Sequence, residues 1–145
     1  VLHMLRYLVG DSAFWDGLRA YFARFKHQNA STADFRAVME EVSGQNLDPF
    51  FAQWTRRAGH PVVDAAWRYD AAAGQVTLRL EQTQDGPPFA FPLDVAFRTA
   101  AGDTTVTVPV EARSETYTLD SAAAPTAVEL DPDVWVLMEA QVTPE

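Results

Sequence analysis

The spacing of apolar residues changes at Pro61, and this change constrains the fold more than any other feature of the chain. Before Pro61 the apolar residues recur every three or four positions, which places them on one face of an α-helix. After Pro61 they alternate with polar residues, which places them on one face of a β-strand. The sequence therefore predicts an α+β chain, with helices in residues 1–60 and strands in residues 61–145.

The first two predicted helices form an antiparallel pair. The first begins near Val1 and stops at Gly10, because glycine is common just past the end of a helix. The second is predicted to start with Asp11 or Ser12 as its cap.

Two further helices complete the first part. Ser31 or Thr32 is predicted to cap the third helix, and Gly44 to end it. Asp48 is the predicted cap of the fourth helix, with Pro49 at its first position.

About seven short strands follow Pro61, and their spacing predicts an antiparallel sandwich of the immunoglobulin-like kind. The first two strands form a hairpin around Gly74, and the last is predicted at Val134 to Met138. Pro92 and Pro109 fall inside apolar runs. Because proline cannot donate a ladder hydrogen bond, both are predicted to lie at sheet edges or bulges.

Charge follows the same division of the chain. Residues 1–60 carry 7 Lys and Arg against 6 Asp and Glu, a net charge of +1, whereas residues 61–145 carry 4 against 14, a net charge of −10. The acidic part would repel a phosphate backbone, so nucleic acid is excluded as its partner.

The chain has no Cys, which excludes disulfides and thiolate chemistry. No apolar run approaches the length of a membrane span, and no membrane partner is predicted.

The residues that could carry chemistry are scattered. His3, His27 and His60 form no H-E-x-x-H or H-x-H pair, so no metal site is predicted. The serines lack a G-x-S-x-G context and are interpreted as caps and turn residues. Glu40 and Glu41 are adjacent and point to different sides of a helix, so they do not form an acid and base couple. The sequence therefore predicts no catalytic and no metal-binding residue.

Three segments of the chain resemble a known enzyme family. They are VLHMLRYLVGDSAFWDGLRAYFARF, then STADFRAVMEEVSGQNLDPFFAQWTRRAGHPVV, and then a β-rich tail with DPDVWVL. Together they resemble the region downstream of the active site in the aminopeptidase N family of zinc metallopeptidases, which are gluzincins. The anchors of the resemblance are Arg6, Gly10-Asp11, Phe14, Tyr21, Asp34-Phe35, Glu40, Phe50-Phe51-x-x-Trp54 and Gly59-x-Pro61.

The resemblance implies that residues 1–60 are the C-terminal helices of a thermolysin-like catalytic domain and that residues 61–145 are a β-sandwich domain. The parent would be a zinc aminopeptidase that removes N-terminal residues from peptides. In the family, H-E-x-x-H and a later Glu hold the zinc that activates water, and G-x-M-E-N binds the substrate amino terminus. None of these strings occurs in this chain. The family's transition-state Tyr would precede Val1, so Tyr7 and Tyr21 do not take its role.

A buttressing role is therefore expected for this chain, which should be inert alone and hold no cofactor itself. Peptide substrate would be reached only through the catalytic domain. The linker before the first strand is short, so packing between the two parts is expected from Phe50, Phe51, Trp54, Gly59 and Pro61. If Trp54 is fully buried, its truncation to Ala should cost about 3 to 5 kcal/mol.

Two other functions stay open at this point. The chain could be a free-standing β-sandwich binding module with a helical docking arm. It could also be an independent hydrolase that uses Glu40, Glu41 or His60.

Self-association through the N-terminal helices, or disorder at that end, is a further expectation, because four short helices cannot enclose all of their apolar side chains. The candidates for uncovered side chains are Leu2, Leu5, Leu8, Phe14 and Phe22.

Overall fold

All four predicted helices are present in the computed structural model, which describes residues 1–145. Their bounds are α1 Leu2–Val9, α2 Asp11–Phe25, α3 Thr32–Ser43 and α4 Asp48–Arg56. They form one unit, Val1–Ala58, which we call the helical unit. None of the helices is long and apolar enough to cross a membrane.

The ends of α3 confirm the local sequence signals. Ser31 is the N-cap: its hydroxyl accepts a hydrogen bond from the backbone N–H of Asp34, and the Asp34 carboxylate accepts one from the N–H of Ser31. This reciprocal pair satisfies two N–H groups that have no partner inside the helix. Gly44 ends α3 in the left-handed conformation, with φ of 69°.

The caps predicted for α2 and α4 are wrong. Gly10 occupies the N-cap of α2 with φ of 83° and offers no side chain, while Asp11 lies inside the first turn. Here the single residue that links two helices needs a positive φ more than it needs a capping oxygen. Asp48 is the first residue of α4 rather than its cap, a position held by Leu47.

The core of the helical unit brings residues from all four helices together. Its buried members are Leu5, Phe14, Met39, Leu47 and Phe51. Gly17 lets α2 approach α3 closely, because a Cβ atom there would lie 2.3 Å from Met39 Sδ.

The five candidates for uncovered N-terminal side chains therefore divide, and the prediction is wrong for two of them. Leu5 and Phe14 are buried, and Leu8 packs partly against the core. Leu2 and Phe22 are exposed.

Seven strands follow, as the spacing predicts, and they form the second unit, Gly59–Glu145, which we call the strand unit. The strands are β1 Val62–Asp70, β2 Gln75–Gln82, β3 Phe91–Thr99, β4 Thr104–Val110, β5 Ser114–Asp120, β6 Pro125–Leu130 and β7 Glu139–Pro144. One sheet has the order β5-β2-β1-β7 and the other β4-β3-β6. Alternate apolar side chains are buried along the strands, as in β2 at Val76, Leu78 and Leu80.

Two details differ from the predicted sandwich. β7 pairs with β1 in parallel, so the arrangement is not wholly antiparallel. The strand predicted at Val134 to Met138 is also wrong, because this segment forms no strand and β7 begins only at Glu139. The apolar run misled the prediction because side-chain hydrogen bonds, described below, tie its backbone to Asp131 at the preceding turn.

At each of the two predicted prolines, the strand has a paired neighbour on one side only. Pro92 in β3 stands opposite Pro109 in β4, and β4 is an edge strand. β3 is central, but β6 pairs with it only from Val95 to Thr99. Pro92 therefore has a neighbouring strand on one side only, which confirms the predicted edge position.

Candidate functional site

The three aromatic residues predicted to pack between the two parts of the chain lie on α4. Phe51 is 3% exposed and belongs to the core of the helical unit, with its ring centre 6.2 Å from that of Phe35. Phe50 lies between its neighbours: its ring is edge-on to that of Phe51, with 5.5 Å between ring centres, and tilted to that of Trp54, with 6.5 Å. Trp54 is half-buried, so the condition of full burial is not met. We call these rings the graded cluster, because Phe51 is buried in the core while Phe50 and Trp54 are only half-buried.

Gly59 and Pro61 are the other two predicted residues, and both belong to the strand unit. Gly59 has φ of 85°, a conformation that favours glycine. Pro61 is buried, and its carbonyl accepts a hydrogen bond of 3.0 Å from the N–H of Glu139. That bond aligns the start of β1 with the start of β7.

The corner between α3 and α4 is held by polar side chains. Glu40 Oε1 accepts a hydrogen bond of 2.8 Å from the backbone N–H of the buried Leu47. Arg36 forms an ion pair with Asp48, the first residue of α4. Two hydrogen bonds from Ser31 lower the pKa of Asp34, because they stabilise its ionised form. Two anchors of the family resemblance are thus structural residues of α3: Asp34 at its N-terminal cap and Glu40 at the corner that leads to α4.

A second polar contact joins α1 to α2. The Arg6 guanidinium donates two hydrogen bonds to the Asp11 carboxylate, at 2.6 and 2.7 Å. These hydrogen bonds, together with the positive charge of Arg6, lower the pKa of Asp11. Arg6 also lies over the ring of Trp15, with 5.6 Å between the guanidinium carbon and the ring centre. Asp11 is therefore a partner of Arg6 rather than a helix cap.

The residues of this chain do not fit a catalytic zinc ion. No group of three or more His, Asp or Glu side chains is close enough to hold a metal. His60 Nε2 lies 2.8 Å from Glu139 Oε1, a single pair within the strand unit.

Glu40 and Glu41 serve different partners, since Glu41 pairs with Arg24 while Glu40 accepts from Leu47. The structure therefore offers no support for the independent hydrolase built from Glu40, Glu41 or His60.

A polar groove of about 340 Å³ lies on the outer face of the four-stranded sheet. Charged side chains from β1, β2 and β5 line it, including Asp64, Arg79 and Glu81. Asp64 and Glu81 stand directly opposite each other in the β1–β2 ladder. No aromatic ring lines the groove, so it lacks a stacking platform for a sugar or a base.

Sequence reasoning missed a buried network around Gln82. Its amide nitrogen donates to the carbonyls of Phe89 and Ala112 at 2.8 and 3.0 Å, and its amide oxygen accepts from the N–H of Phe89 at 2.8 Å. Arg113 donates to the carbonyls of Gln82, Gln84 and Gly86. The only signal in the sequence was a polar residue at an inward position of β2.

The role of Asp131 was not predicted from the sequence either. Its carboxylate accepts hydrogen bonds from the backbone N–H groups of Trp135 and Val136, at 2.8 and 2.7 Å. This arrangement forms the turn that replaces the predicted strand and holds Val134 at φ of 57°, a conformation that β-branched residues rarely adopt. The Asp-Pro pair at its start was the available turn signal.

Comparison with known proteins agrees with the resemblance. Residues 1–54 match the model of the peptidase family M1 domain. The puromycin-sensitive aminopeptidase of Caenorhabditis elegans is 27% identical over 99% of this chain, which spans 15% of that protein. Aminopeptidase N of Lactococcus lactis subsp. lactis is 38% identical over 45% of this chain, which spans 8% of its length.

A solved structure shares the fold. It is the Legionella pneumophila aminopeptidase A, determined in complex with aspartic acid, which matches 97% of this chain and 17% of its own with a TM-score of 0.77 and 14% identity. The match extends over both the helices and the strands. The first 54 residues therefore match peptidase family M1, and the chain spans a small part of the length of the aminopeptidases to which it is similar.

Proposed function

We propose that this chain is a non-catalytic segment of a zinc-dependent aminopeptidase that removes N-terminal residues from peptides. One observation carries the proposal: the match to the family M1 domain, residues 1–54, falls within the helical unit, and that unit holds no metal-binding cluster. The relatives that share this segment are named as aminopeptidases. Zinc and its ligands would then belong to another part of the same polypeptide.

In this proposal the helical unit is the C-terminal part of a thermolysin-like catalytic domain, residues 1–60. The strand unit is an immunoglobulin-like β-sandwich domain, residues 61–145. The order of the two units and the two sheets of the second support this division. Phe50, Phe51, Trp54, Gly59 and Pro61 would join the two domains.

The role of the segment would be to support the catalytic domain mechanically. Three features favour rigidity in the helical unit: a shared core from four helices, the tight approach of α2 to α3 at Gly17, and the corner held by Glu40. Such a scaffold keeps catalytic groups in place without contacting substrate.

The first test is the DNA sequence upstream of the codon for Val1. The proposal expects an in-frame H-E-x-x-H, a later Glu and a Tyr-x-Lys-Gly-Ala segment shortly before Val1. An open reading frame without the zinc motif would overturn the proposal and favour the free-standing binding module.

The second test uses the 145-residue chain itself. After dialysis it should retain no stoichiometric zinc, and it should not hydrolyse aminoacyl anilides, whereas the polypeptide from the complete reading frame should do both. Tight zinc or measurable hydrolysis by the short chain would show that a site had been assembled from its own residues.

A further inference from the structure

We infer that the helical unit binds a small oxyanion, a phosphate or a carboxylate group, in a cavity between α3 and α4. The cavity has a volume of about 250 Å³, and we call it the Arg36 pocket. Its lining residues are Thr32, Ala33, Arg36, Phe51, Thr55 and Arg56. All six belong to the helical unit, so the inference does not depend on the proposed function.

Two guanidinium groups line the Arg36 pocket, and no carboxylate does. Arg56 is exposed and has no ion-pair or hydrogen-bond partner in the chain, so its charge is uncompensated. Arg36 pairs with Asp48 and Glu40, but neither carboxylate lines the cavity. A single exposed arginine needs no explanation, whereas two arginines around one cavity repel each other unless an anion lies between them. The charge that complements this cavity is therefore negative.

Carboxylates outside the pocket hold Arg36 in position. Its side chain is only 26% exposed, its Nη1 donates a hydrogen bond to Asp48, and its Nε lies 3.8 Å from Glu40 Oε2. The buried Nε has no hydrogen-bond partner, and Nη2 has no acceptor within the chain. A guanidinium fixed in this way offers its remaining N–H groups in one plane, at a smaller entropic cost than a mobile side chain. Carboxylate and phosphate groups are the acceptors that match such a planar fork.

The start of α3 adds donors to the same cavity wall. Thr32 and Ala33 are the first two residues of this 12-residue helix, and their backbone N–H groups have no partner inside it. The Thr32 hydroxyl makes no hydrogen bond within the chain either. The N-terminal end of a helix dipole favours an anion. The backbone and the arginine side chains of the pocket therefore select the same sign of charge.

The size and the apolar wall of the pocket limit the ligand further. Sites for drug-sized ligands typically measure roughly 300 to 1,000 Å³, so this cavity suits a small ion or a single functional group. Phe51 is 3% exposed and supplies an apolar wall, which strengthens the attraction between an anion and the guanidinium groups. The Thr55 hydroxyl donates to the Phe51 carbonyl at 2.6 Å. The donors left for a ligand are therefore those of Thr32, Ala33 and the two arginines.

Titration of the 145-residue chain with inorganic phosphate tests the inference. In NMR spectra at constant ionic strength, the backbone amides of Thr32 and Ala33 and the Nε–H of Arg56 should shift along a saturable curve. Chloride at the same ionic strength should produce no saturation. Acetate distinguishes the two sources of the oxyanion: tighter binding of phosphate assigns a phosphate group, and equal or tighter binding of acetate assigns a carboxylate. The inference is wrong if neither anion gives saturable shifts at these positions.

A variant at Arg56 tests the role of the uncompensated charge. Arg56→Gln removes no ion pair or hydrogen bond of the fold, and it should weaken phosphate binding at least about tenfold. Lys26→Gln is the matched control, because Lys26 is an exposed cation of the same unit that lies outside the pocket. The control should leave the affinity unchanged. Equal weakening by both variants would show that phosphate responds only to net charge and would overturn the site.

The melting temperature provides a second readout of the same site. A ligand that binds only the folded state raises the melting temperature, and phosphate also stabilises proteins without specific binding. The rise caused by phosphate should therefore be larger in the unmodified chain and in Lys26→Gln than in Arg56→Gln. An equal rise in all three proteins would contradict the Arg36 pocket. Neither zinc nor peptidase activity enters these measurements, so their failure would leave the proposed function untouched.

Discussion

The carboxylate of Glu40 near the end of α3 accepts a hydrogen bond from the backbone N–H of Leu47, the residue that precedes α4, across 2.8 Å. Leu47 is fully buried, so its N–H has no access to water. One side chain of α3 therefore satisfies a buried N–H at the start of the next helix.

Removal of this acceptor should destabilise the helical unit. Glu40→Ala leaves the Leu47 N–H buried without a partner, which should cost about 1 to 3 kcal/mol of unfolding free energy. Glu40→Gln keeps an acceptor oxygen and should cost less. Urea unfolding followed by far-UV circular dichroism measures both variants.

Glu41→Ala is the control for that series, because Glu41 forms an exposed pair with Arg24. Such surface pairs contribute about 0 to 1 kcal/mol. Equal losses for the variants at Glu40 and Glu41 would show that the Leu47 contact does not stabilise the corner.

Phe51 and Trp54 should respond differently to truncation, although they lie on the same short helix. Phe51→Ala removes a buried ring and should cost about 3 to 5 kcal/mol. Trp54 is half-buried, so Trp54→Ala should cost about 1 to 2 kcal/mol. The same urea titration measures both, and a larger loss for Trp54 than for Phe51 would contradict the graded cluster on α4.

Substitution of Asp131 should release the turn before β7. Asp131→Ala leaves the N–H groups of Trp135 and Val136 without an acceptor, which should cost at least about 2 kcal/mol. The amide resonances of both residues should shift and lose protection from hydrogen exchange in NMR spectra. Asp133→Ala, an exposed change in the same turn, should leave them in place. Unchanged amide protection in Asp131→Ala would refute this role.

Acid should weaken the N-cap of α3. Hydrogen bonds from Ser31 lower the pKa of Asp34 in the folded chain, so the folded state binds this proton less readily than the unfolded state does. The stabilisation is therefore present above the ordinary Asp pKa and is lost as the pH falls through the lowered folded value. In Ser31→Ala the Asp34 pKa should move back up towards its ordinary value, as measured by NMR titration of the side-chain carboxyl carbon. An unmoved pKa would show that Ser31 is not its cause.

Local signals in the sequence predicted much of the fold. The change of apolar period at Pro61 separates helices from strands because it depends only on which neighbouring residues share a face. Ser31 and Gly44 marked the ends of α3 because a capping oxygen and a positive φ act within a few residues of their own position. The family resemblance likewise rested on ordered anchors along the chain, and the match to the family M1 domain confirmed it.

Tertiary structure decided what depends on distant residues. β7 pairs in parallel with β1, whose paired residues lie 77 positions earlier, and no local pattern specifies a partner strand. The same apolar run that predicts a strand at Val134 becomes a turn, because the Asp131 carboxylate binds its backbone N–H groups. Leu5 on α1 and Phe22 on α2 both belong to apolar runs with helical spacing. Packing of the four helices nevertheless buries Leu5 and leaves Phe22 in solvent. Spacing defines a helix face, but only the neighbouring elements determine whether that face is covered.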